Sequence, residues 1–126
     1  QGLLGDLPEP KLRAYPKYTD VAEKFHAGCL LGMTNNRMKD YFDLWVLLDD
    51  STLDPVGIRR AIEATFDRRK MHMPTVVPVG FSDVFAADAT KQTQWNAFLK
   101  KNRLETISLA DVVNRLRGKF HAVEVF

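Results

Sequence analysis

Two charged residues occupy positions where an amphipathic helix would normally carry an apolar side chain: Lys24 and Asp40. Lys24 shares its helix face with small and apolar residues, and Asp40 lies in line with Leu44 and Leu47, one and two turns further on. A charge on a core-facing stripe needs a partner, because burying it alone costs free energy. For the lysine that partner could be a carboxylate of this chain or a phosphate.

The short connection over residues 32–36 predicts an antiparallel hairpin, in which Lys24 and Asp40 would face one another near the middle. Two interpretations follow. In the first, the two residues form a buried salt bridge that holds the hairpin together. In the second, they belong to a site that also binds a phosphate. From the residues alone the salt bridge is the simpler interpretation, because buried charges are normally paired whatever else they do.

Helical patterning extends over most of the chain, and the sequence predicts a mainly α fold of about five helices without repeats. Capping signals mark the predicted helix starts: Thr19 or Tyr18, Asn35 or Asn36, Asp54 before Pro55, Ser82, and Ser108 with Asp111 three residues later. The long helices are predicted near residues 20–31, 37–48, 55–69, 90–102 and 108–118, with a short helical turn over 81–87.

The segments outside these helices are rich in proline. Residues 1–16 contain three prolines and are predicted to form an extended leader from an upstream domain, followed by a single helical domain over residues 17–126. Residues 71–80 contain two prolines, which exclude a central strand and indicate a loop that packs its valines on the helices.

Composition restricts the class of protein. With 126 residues and 45% hydrophobic residues, the chain can close one core. No apolar run reaches the roughly 18 residues of a membrane helix, and the first residues lack a signal-peptide pattern, so we expect no membrane partner and a cytoplasmic location. The single cysteine, Cys29, excludes an intramolecular disulfide and has no metal-ligand spacing around it.

The net charge of +2 says little about partners, but basic residues are grouped. These residues could contact nucleic acid or other phosphates, although a solvated helix face is the commoner explanation of such groups. They make a helical binding module for RNA or for a protein partner the alternative functional interpretation. The residues concerned are Arg59, Arg68, Arg69 and Lys70.

Residues 15–48, YPKYTDVAEKFHAGCLLGMTNNRMKDYFDLWVLL, closely resemble a segment of the AbiEii/AbiGii nucleotidyltransferase toxins. In that family a Tyr-Pro pair precedes an Ala-Glu-Lys helix, and an Asn-(Ser/Asn)-Arg turn leads to a Lys-Asp-x-x-Asp-Leu helix. Weaker similarity follows in AIEATFDRR and QWNAFL, so the likeness covers most of the chain. Tyr18 and Asn36 depart from the common family residues, and the order of Tyr41 and Phe42 is reversed.

The resemblance implies a polymerase-beta-like nucleotidyltransferase site, with Lys24 at the lysine motif and Asp40 at the aspartate motif. The lysine would steady the triphosphate of an NTP, and the aspartate would orient that lysine or assist proton transfer. Secondary candidates are Glu23, Arg37, Lys39 and Asp43, each of which could instead form an exposed ion pair within its helix.

The family also uses a Gly-rich turn and an Asp-x-Asp strand that hold Mg²⁺ and phosphates, and neither occurs in these 126 residues. We therefore expect no metal site in this chain. It is expected to be the C-terminal helical portion of a toxin, inactive alone, whose partners would be an upstream nucleotidyltransferase half and a cognate antitoxin. The full protein would transfer a nucleotide from an NTP to RNA or protein in a toxin–antitoxin or abortive-infection system.

Overall fold

A computed structural model describes residues 15–126, and within them the chain forms six α-helices, two short 3-10 helices and no strand. The mainly α fold is therefore confirmed. The 3-10 helices are Gly32–Thr34 and Val79–Phe81. The α-helices are α1 (Tyr15–Leu31), α2 (Met38–Leu47), α3 (Pro55–Arg68), α4 (Asp83–Ala87), α5 (Ala89–Lys101) and α6 (Leu109–Ala122).

Four helices begin at a residue whose side chain accepts a hydrogen bond from the backbone N–H three residues later. The predicted caps Asp54, Ser82 and Ser108 are confirmed at the starts of α3, α4 and α6. Asp88 caps α5 in the same way by accepting from the N–H of Lys91. Each cap satisfies one of the N–H groups that a helix start leaves without a partner inside the helix. The cap predicted at Asn35 or Asn36 is wrong, because α2 begins after Arg37 without a side-chain cap.

Two helix boundaries differ from the sequence-based prediction. Helix α1 begins at Tyr15, so Tyr15 and Pro16 are helical and not extended, because proline is tolerated in the first turn, where its missing N–H is not needed. The remainder of the predicted leader, residues 1–14, lies outside the described residues. Helix α6 continues past Gly118 to Ala122, and this last turn buries Phe120 in the core.

The core is built around the apolar face of α1. The ring of Phe25 lies 5.9 Å from that of Phe66 on α3, 5.3 Å from that of Phe81 and 4.3 Å from that of Phe120 on α6, measured between centroids. All four side chains are buried. One aromatic cluster thus joins α1, α3, α6 and the Val79–Phe81 turn.

The Val79–Phe81 turn packs closely against α1 at Gly28. A Cβ atom placed on Gly80 would lie 2.3 Å from the carbonyl oxygen of Gly28, so only glycine fits this approach. The hydroxyl of Tyr41 donates a hydrogen bond of 2.7 Å to the carbonyl of Gly80. The turn is therefore fastened to both helices of the predicted hairpin.

The loop between α3 and this turn packs differently from the prediction. The expectation that its valines cover the helices is wrong: Val76 is 73% exposed, and Val77 and Val79 are exposed as well. Met71 and Met73 pack against the core instead. The loop is anchored at its two ends, by these methionines and by the Val79–Phe81 turn, so the valines between them face outward.

None of the helices in residues 15–126 combines the length and the apolar character that crossing a bilayer requires.

Candidate functional site

Lys24, the residue at the predicted lysine motif, lies on α1 with its side chain 17% exposed. Its Nζ donates a hydrogen bond to Oδ1 of Asp20, one turn earlier on the same helix. The same Nζ lies 3.8 Å from Oδ2 of Asp43 on α2. The partly buried ammonium is thus paired with two carboxylates, one from each helix of the hairpin.

The hairpin of α1 and α2 is antiparallel, as predicted, and its register follows from two ion pairs between its arms. Lys17 pairs with Asp50 at 2.7 Å. Lys24 follows Lys17 by seven residues and lies opposite Asp43, which precedes Asp50 by seven residues. Asp40 is therefore about one turn, roughly 5 Å, beyond the level of Lys24. The predicted Lys24–Asp40 salt bridge is wrong, because Asp43 takes that place.

Asp40 lies in the first turn of α2, and its side chain is 13% exposed. Arg37 Nε lies 2.9 Å from Asp40 Oδ2, but this contact is ionic and lacks hydrogen-bond geometry. No donor within residues 15–126 forms a hydrogen bond to that buried oxygen. The positive end of α2 favours its charge. The buried oxygen of Asp40 is therefore held by the charge of Arg37 and not by a hydrogen bond.

Two further predicted residues form an exposed ion pair within α2. Lys39 Nζ lies 2.6 Å from Oδ2 of Asp43, the oxygen that also faces Lys24. This hydrogen bond and the charge of Asp43 raise the pKa of Lys39. Asp43 consequently links the exposed lysine of α2 with the partly buried lysine of α1.

Glu23 binds two arginines at the end of α3. Its carboxylate accepts hydrogen bonds from Arg68 Nη2 at 2.5 Å and from Arg69 Nη2 at 2.7 Å and Nε at 3.0 Å. Burial alone would raise the pKa of Glu23, but the hydrogen bonds and charges of Arg69 and Arg68 outweigh it, so the pKa is lowered. Glu23 is therefore ionised at neutral pH and ties α3 to α1.

A cleft of about 200 Å³ brings several predicted site residues together. Its polar lining consists of Lys24, Arg37, Arg69, Glu23 and His26, and Ala27, Leu30 and Leu31 form the apolar part. Burial and the charge of Arg69 lower the pKa of His26, which leaves its imidazole neutral at pH 7. Three cationic side chains and one carboxylate therefore line the cleft, which favours an anionic ligand.

A second and wider cleft of about 670 Å³ lies on the other side of the turn that joins the hairpin. Lys39 and Asp40 line it from α2, and residues of α5, among them Gln94, Phe98 and Lys101, form the opposite wall. Arg37 borders both clefts. The turn that carries Arg37 is thus the boundary between the Lys24 side and the Asp40 side of the candidate site.

The four predicted phosphate-contacting residues do not form one patch. Arg59 pairs with Glu63 and donates a hydrogen bond to the carbonyl of Glu124 near the C-terminus. Arg68 is nine residues further along α3, which places it about half a turn round the helix from Arg59. Lys70 follows the helix with a positive φ of 55° and is exposed.

Two buried polar residues, Asn35 and Lys91, support the turn before α2; the sequence predicted Asn35 only as a turn or N-cap residue, and Lys91 was missed. Asn35 is 1% exposed, and its Oδ1 accepts a hydrogen bond of 2.9 Å from the N–H of Arg37. Lys91 on α5 is 6% exposed, and its Nζ donates to the carbonyl of Asn35 at 2.7 Å. No spacing signal marks Lys91, because its partner is 56 residues away. Asp20, also missed, could have been found from its i,i+4 spacing to Lys24.

Residues 15–126 contain no group of three or more His, Cys, Asp or Glu side chains that could hold a metal ion. The acidic residues Asp20, Asp40 and Asp43 of the hairpin each lie against a basic side chain, and Glu23 binds Arg68 and Arg69. Mg²⁺ needs carboxylates that are free to coordinate it. The donor set of this part of the chain therefore does not fit a Mg²⁺ site.

The similarity of this chain to known proteins identifies its family. The family model described as nucleotidyl transferase AbiEii toxin, Type IV TA system, matches residues 1–116 of this chain. No curated protein and no solved structure matches it. The family match includes α1 to α5, both clefts and the string from Tyr15 to Leu48. The chain therefore belongs to the AbiEii family of nucleotidyl transferase toxins of Type IV toxin–antitoxin systems.

Proposed function

We propose that this chain supplies the lysine and aspartate half of the nucleotide site of an AbiEii-type nucleotidyltransferase. The reaction would transfer a nucleotide from an NTP to an RNA or protein acceptor in the cytoplasm, under the control of a cognate antitoxin. One observation carries the proposal: Lys24, Arg37 and Arg69 line a single cleft in a chain of this family.

The charges of the cleft suit a triphosphate. With Glu23 ionised and His26 neutral, the lining residues have a net formal charge of +2, and the aspartates that hold Lys24 and Arg37 lie outside this lining. Lysine acts as a compact point charge, whereas the planar guanidinium of arginine can bind two phosphate oxygens at once. Negative charge that shifts within the triphosphate during transfer would be stabilised by such fixed cations.

In this proposal Lys24 contacts the phosphates and Asp40 acts through Arg37. The ammonium of Lys24 is already held by Asp20 and lies near Asp43, so it is oriented before a ligand arrives. Asp40 lies against Arg37, and Arg37 borders the nucleotide cleft. The aspartate would therefore hold the arginine in place.

The metal-binding acids must come from another segment. The residues of this chain that the structure describes do not fit Mg²⁺, and no Asp-x-Asp occurs in the 126 residues. We propose that a Gly-rich turn and an acidic pair pack against the Lys24 cleft and complete the site, and that the 126-residue chain binds NTP without transferring it. Mg²⁺ would neutralise phosphate charge there.

The alternative, a helical module that binds RNA or protein through its basic residues, has less support. Arg59 and Arg68 lie on opposite sides of α3, and each is paired with a glutamate. A continuous basic surface, which phosphate tracking requires, is therefore not formed by these residues.

The proposal is tested by radiolabel transfer with the protein made from the complete reading frame. Each α-labelled NTP is supplied with Mg²⁺ and with total RNA or protein as acceptor. Lys24→Met is expected to reduce transfer by about 100-fold or more, because removing one charge-stabilising group typically costs that much. Asp40→Asn is expected to reduce it less, because it acts through Arg37.

Lys17→Met is the matched control, because Lys17 lies on the same helix but is paired with Asp50 away from the cleft. It is expected to retain wild-type transfer. Transfer by Lys24→Met at the wild-type rate, or no label transfer by the wild-type protein with any NTP, would overturn the proposal.

A further inference from the structure

Lys91 is the lysine that the fold buries most completely among residues 15–126, with 6% of its surface exposed. Its Nζ donates hydrogen bonds to the carbonyl of Asn35 at 2.7 Å and to Oε1 of Gln94 at 3.4 Å. It also lies 5.6 Å from the ring centroid of Phe85. Within the described residues no carboxylate pairs with this ammonium.

Burying an ammonium group in the core without a carboxylate partner costs free energy. Buried charges normally have an ion-pair partner, and methionine would fill a similar volume without the cost of removing a charge from water. The charge of Lys91 therefore stabilises the group that it contacts most closely. That group is the carbonyl of Asn35, a buried acceptor that belongs to no helix.

Asn35 is the first residue of the turn that carries Arg37 and leads into Asp40. Its side-chain oxygen accepts from the N–H of Arg37 at 2.9 Å, and the carbonyl of Arg37 accepts from the N–H of Asp40 at 3.0 Å. Helix α2 begins here without any side-chain cap of its own. A chain of three hydrogen bonds thus connects the ammonium of Lys91 to the backbone of both candidate site residues.

Asn35 lies in a buried polar region of the molecule and is 1% exposed. Burial raises the pKa of the nearby Tyr41, and the side chain of Asn35 acts in the opposite direction. Tyr41 in turn is fastened to Gly80. Lys91 is the residue of α5 that donates to Asn35, and α5 also packs on α2 through Phe98 and Phe42, whose ring centroids are 5.9 Å apart.

We propose that Lys91 is a positioning residue for the nucleotide site: it fixes the turn at Asn35 so that Arg37 faces the Lys24 cleft and Asp40 lies against Arg37. This inference rests on the proposed nucleotide site for its functional consequence, but its structural part stands on its own. Lys91 touches no cleft that would hold the nucleotide. Its hydrogen bonds reach the candidate site through Asn35 and, more weakly, through Gln94, which lines the second cleft.

The structural part is tested on the 126-residue chain by amide hydrogen exchange. Lys91→Met is expected to speed exchange at the N–H of Arg37 and Asp40 about tenfold, because loss of the anchor lets the turn open locally. Exchange in α3 should stay unchanged. Lys91→Arg, which keeps a charged donor, should restore most of the protection. Lys100→Met removes an exposed lysine of the same helix and should have no effect.

The functional part is tested with the protein made from the complete reading frame. Lys91→Met is expected to raise the KM for NTP about tenfold and to change kcat much less, because the turn positions a binding group. Lys91→Arg should return KM toward the wild-type value. A merely structural role would lower thermal stability without this split between KM and kcat.

Unchanged exchange at Arg37 in Lys91→Met overturns the inference whatever the activity is. Faster exchange with unchanged KM overturns its functional part. A wild-type protein that transfers no nucleotide overturns the proposed function and leaves the exchange result to decide the structural part. If Lys91→Met does not fold, Lys91→Gln, a shorter neutral donor, takes its place with the same expectations.

Discussion

The ammonium of Lys24 lies 3.8 Å from Oδ2 of Asp43, one helical turn away from Asp40 along α2. The register of the hairpin places Asp43 opposite Lys24, and the Lys17–Asp50 pair agrees with the same register. As a result, Lys24 and Asp40 lie on different sides of the turn that carries Arg37. Lys24 lines one cleft and Asp40 lines the other.

A double-mutant cycle should detect this register. We expect Lys24→Met and Asp43→Asn to show a coupling free energy of about 0.5 kcal/mol or more in urea unfolding. Lys24→Met and Asp40→Asn should be additive, because their side chains form no ion pair. Lys39 still neutralises Asp43 when Lys24 is replaced, so the single change should cost only about 1 kcal/mol. Stronger coupling to Asp40 than to Asp43 would contradict the register.

Glu23→Gln should weaken the connection between α1 and α3. At pH 7 we expect a loss of about 1 kcal/mol in the free energy of unfolding, since the carboxylate binds Arg68 and Arg69 together. The folded-state pKa of Glu23 is lowered, so its contribution is present above its unfolded pKa of 4.5 and is lost as pH falls through the folded-state value.

The measurement for Glu23 is urea unfolding between pH 3 and pH 7. The difference between wild type and Glu23→Gln should shrink as the pH is lowered below 4.5. Glu63→Gln, which breaks an exposed pair with Arg59 inside α3, is the matched control and should cost less at pH 7. A constant difference across this range would show that the Glu23 charge does not stabilise the fold.

His26 should make the protein less stable in mild acid. Burial lowers its folded-state pKa below the ordinary 6.5, so between these two values the unfolded chain binds a proton that the folded chain does not. Stability should therefore be fully present above pH 6.5 and decrease as the pH falls below it. His26→Gln should flatten the dependence of the unfolding free energy between pH 5 and pH 7. If the unfolding free energies of wild type and His26→Gln depended on pH in the same way, His26 would not be the cause of the loss of stability in mild acid.

Gly80→Ala should strongly destabilise the fold. The added methyl group would lie 2.3 Å from the carbonyl oxygen of Gly28 and 3.2 Å from the hydroxyl of Tyr41, so the Val79–Phe81 turn must move away from α1. We expect a cost of about 2–3 kcal/mol, measured as a lower Tm and urea midpoint.

Gly118→Ala is the matched control for this change. Gly118 lies within α6 and has no atom within 4 Å of the added methyl group. Alanine there should stabilise the helix by up to about 1 kcal/mol. Equal effects of the two substitutions would mean that the close approach of Gly28 and Gly80 does not limit the packing.

A large part of the fold could be predicted from the sequence, because it depends on interactions between residues that are close together in the chain. The caps at Asp54, Ser82 and Ser108 were predictable because a side-chain oxygen next to a helix start satisfies a nearby N–H whatever the rest of the chain does. The hairpin of α1 and α2 followed from two helical patterns and a short connection. The family followed from the motif string over residues 15–48, and the family match confirms it.

The arrangement of the site was decided only by the tertiary structure. The sequence predicted Lys24 and Asp40 in one hairpin. A shift of three residues in the register places Asp43 instead of Asp40 opposite Lys24. The packing of the hairpin against α3, α5 and the Val79–Phe81 turn sets this register. The sequence likewise contained no sign that Glu23 would meet Arg68 and Arg69 or that Lys91 would reach Asn35. Each of these contacts joins residues 45 or more positions apart, and helical periodicity reports only neighbours within a few turns.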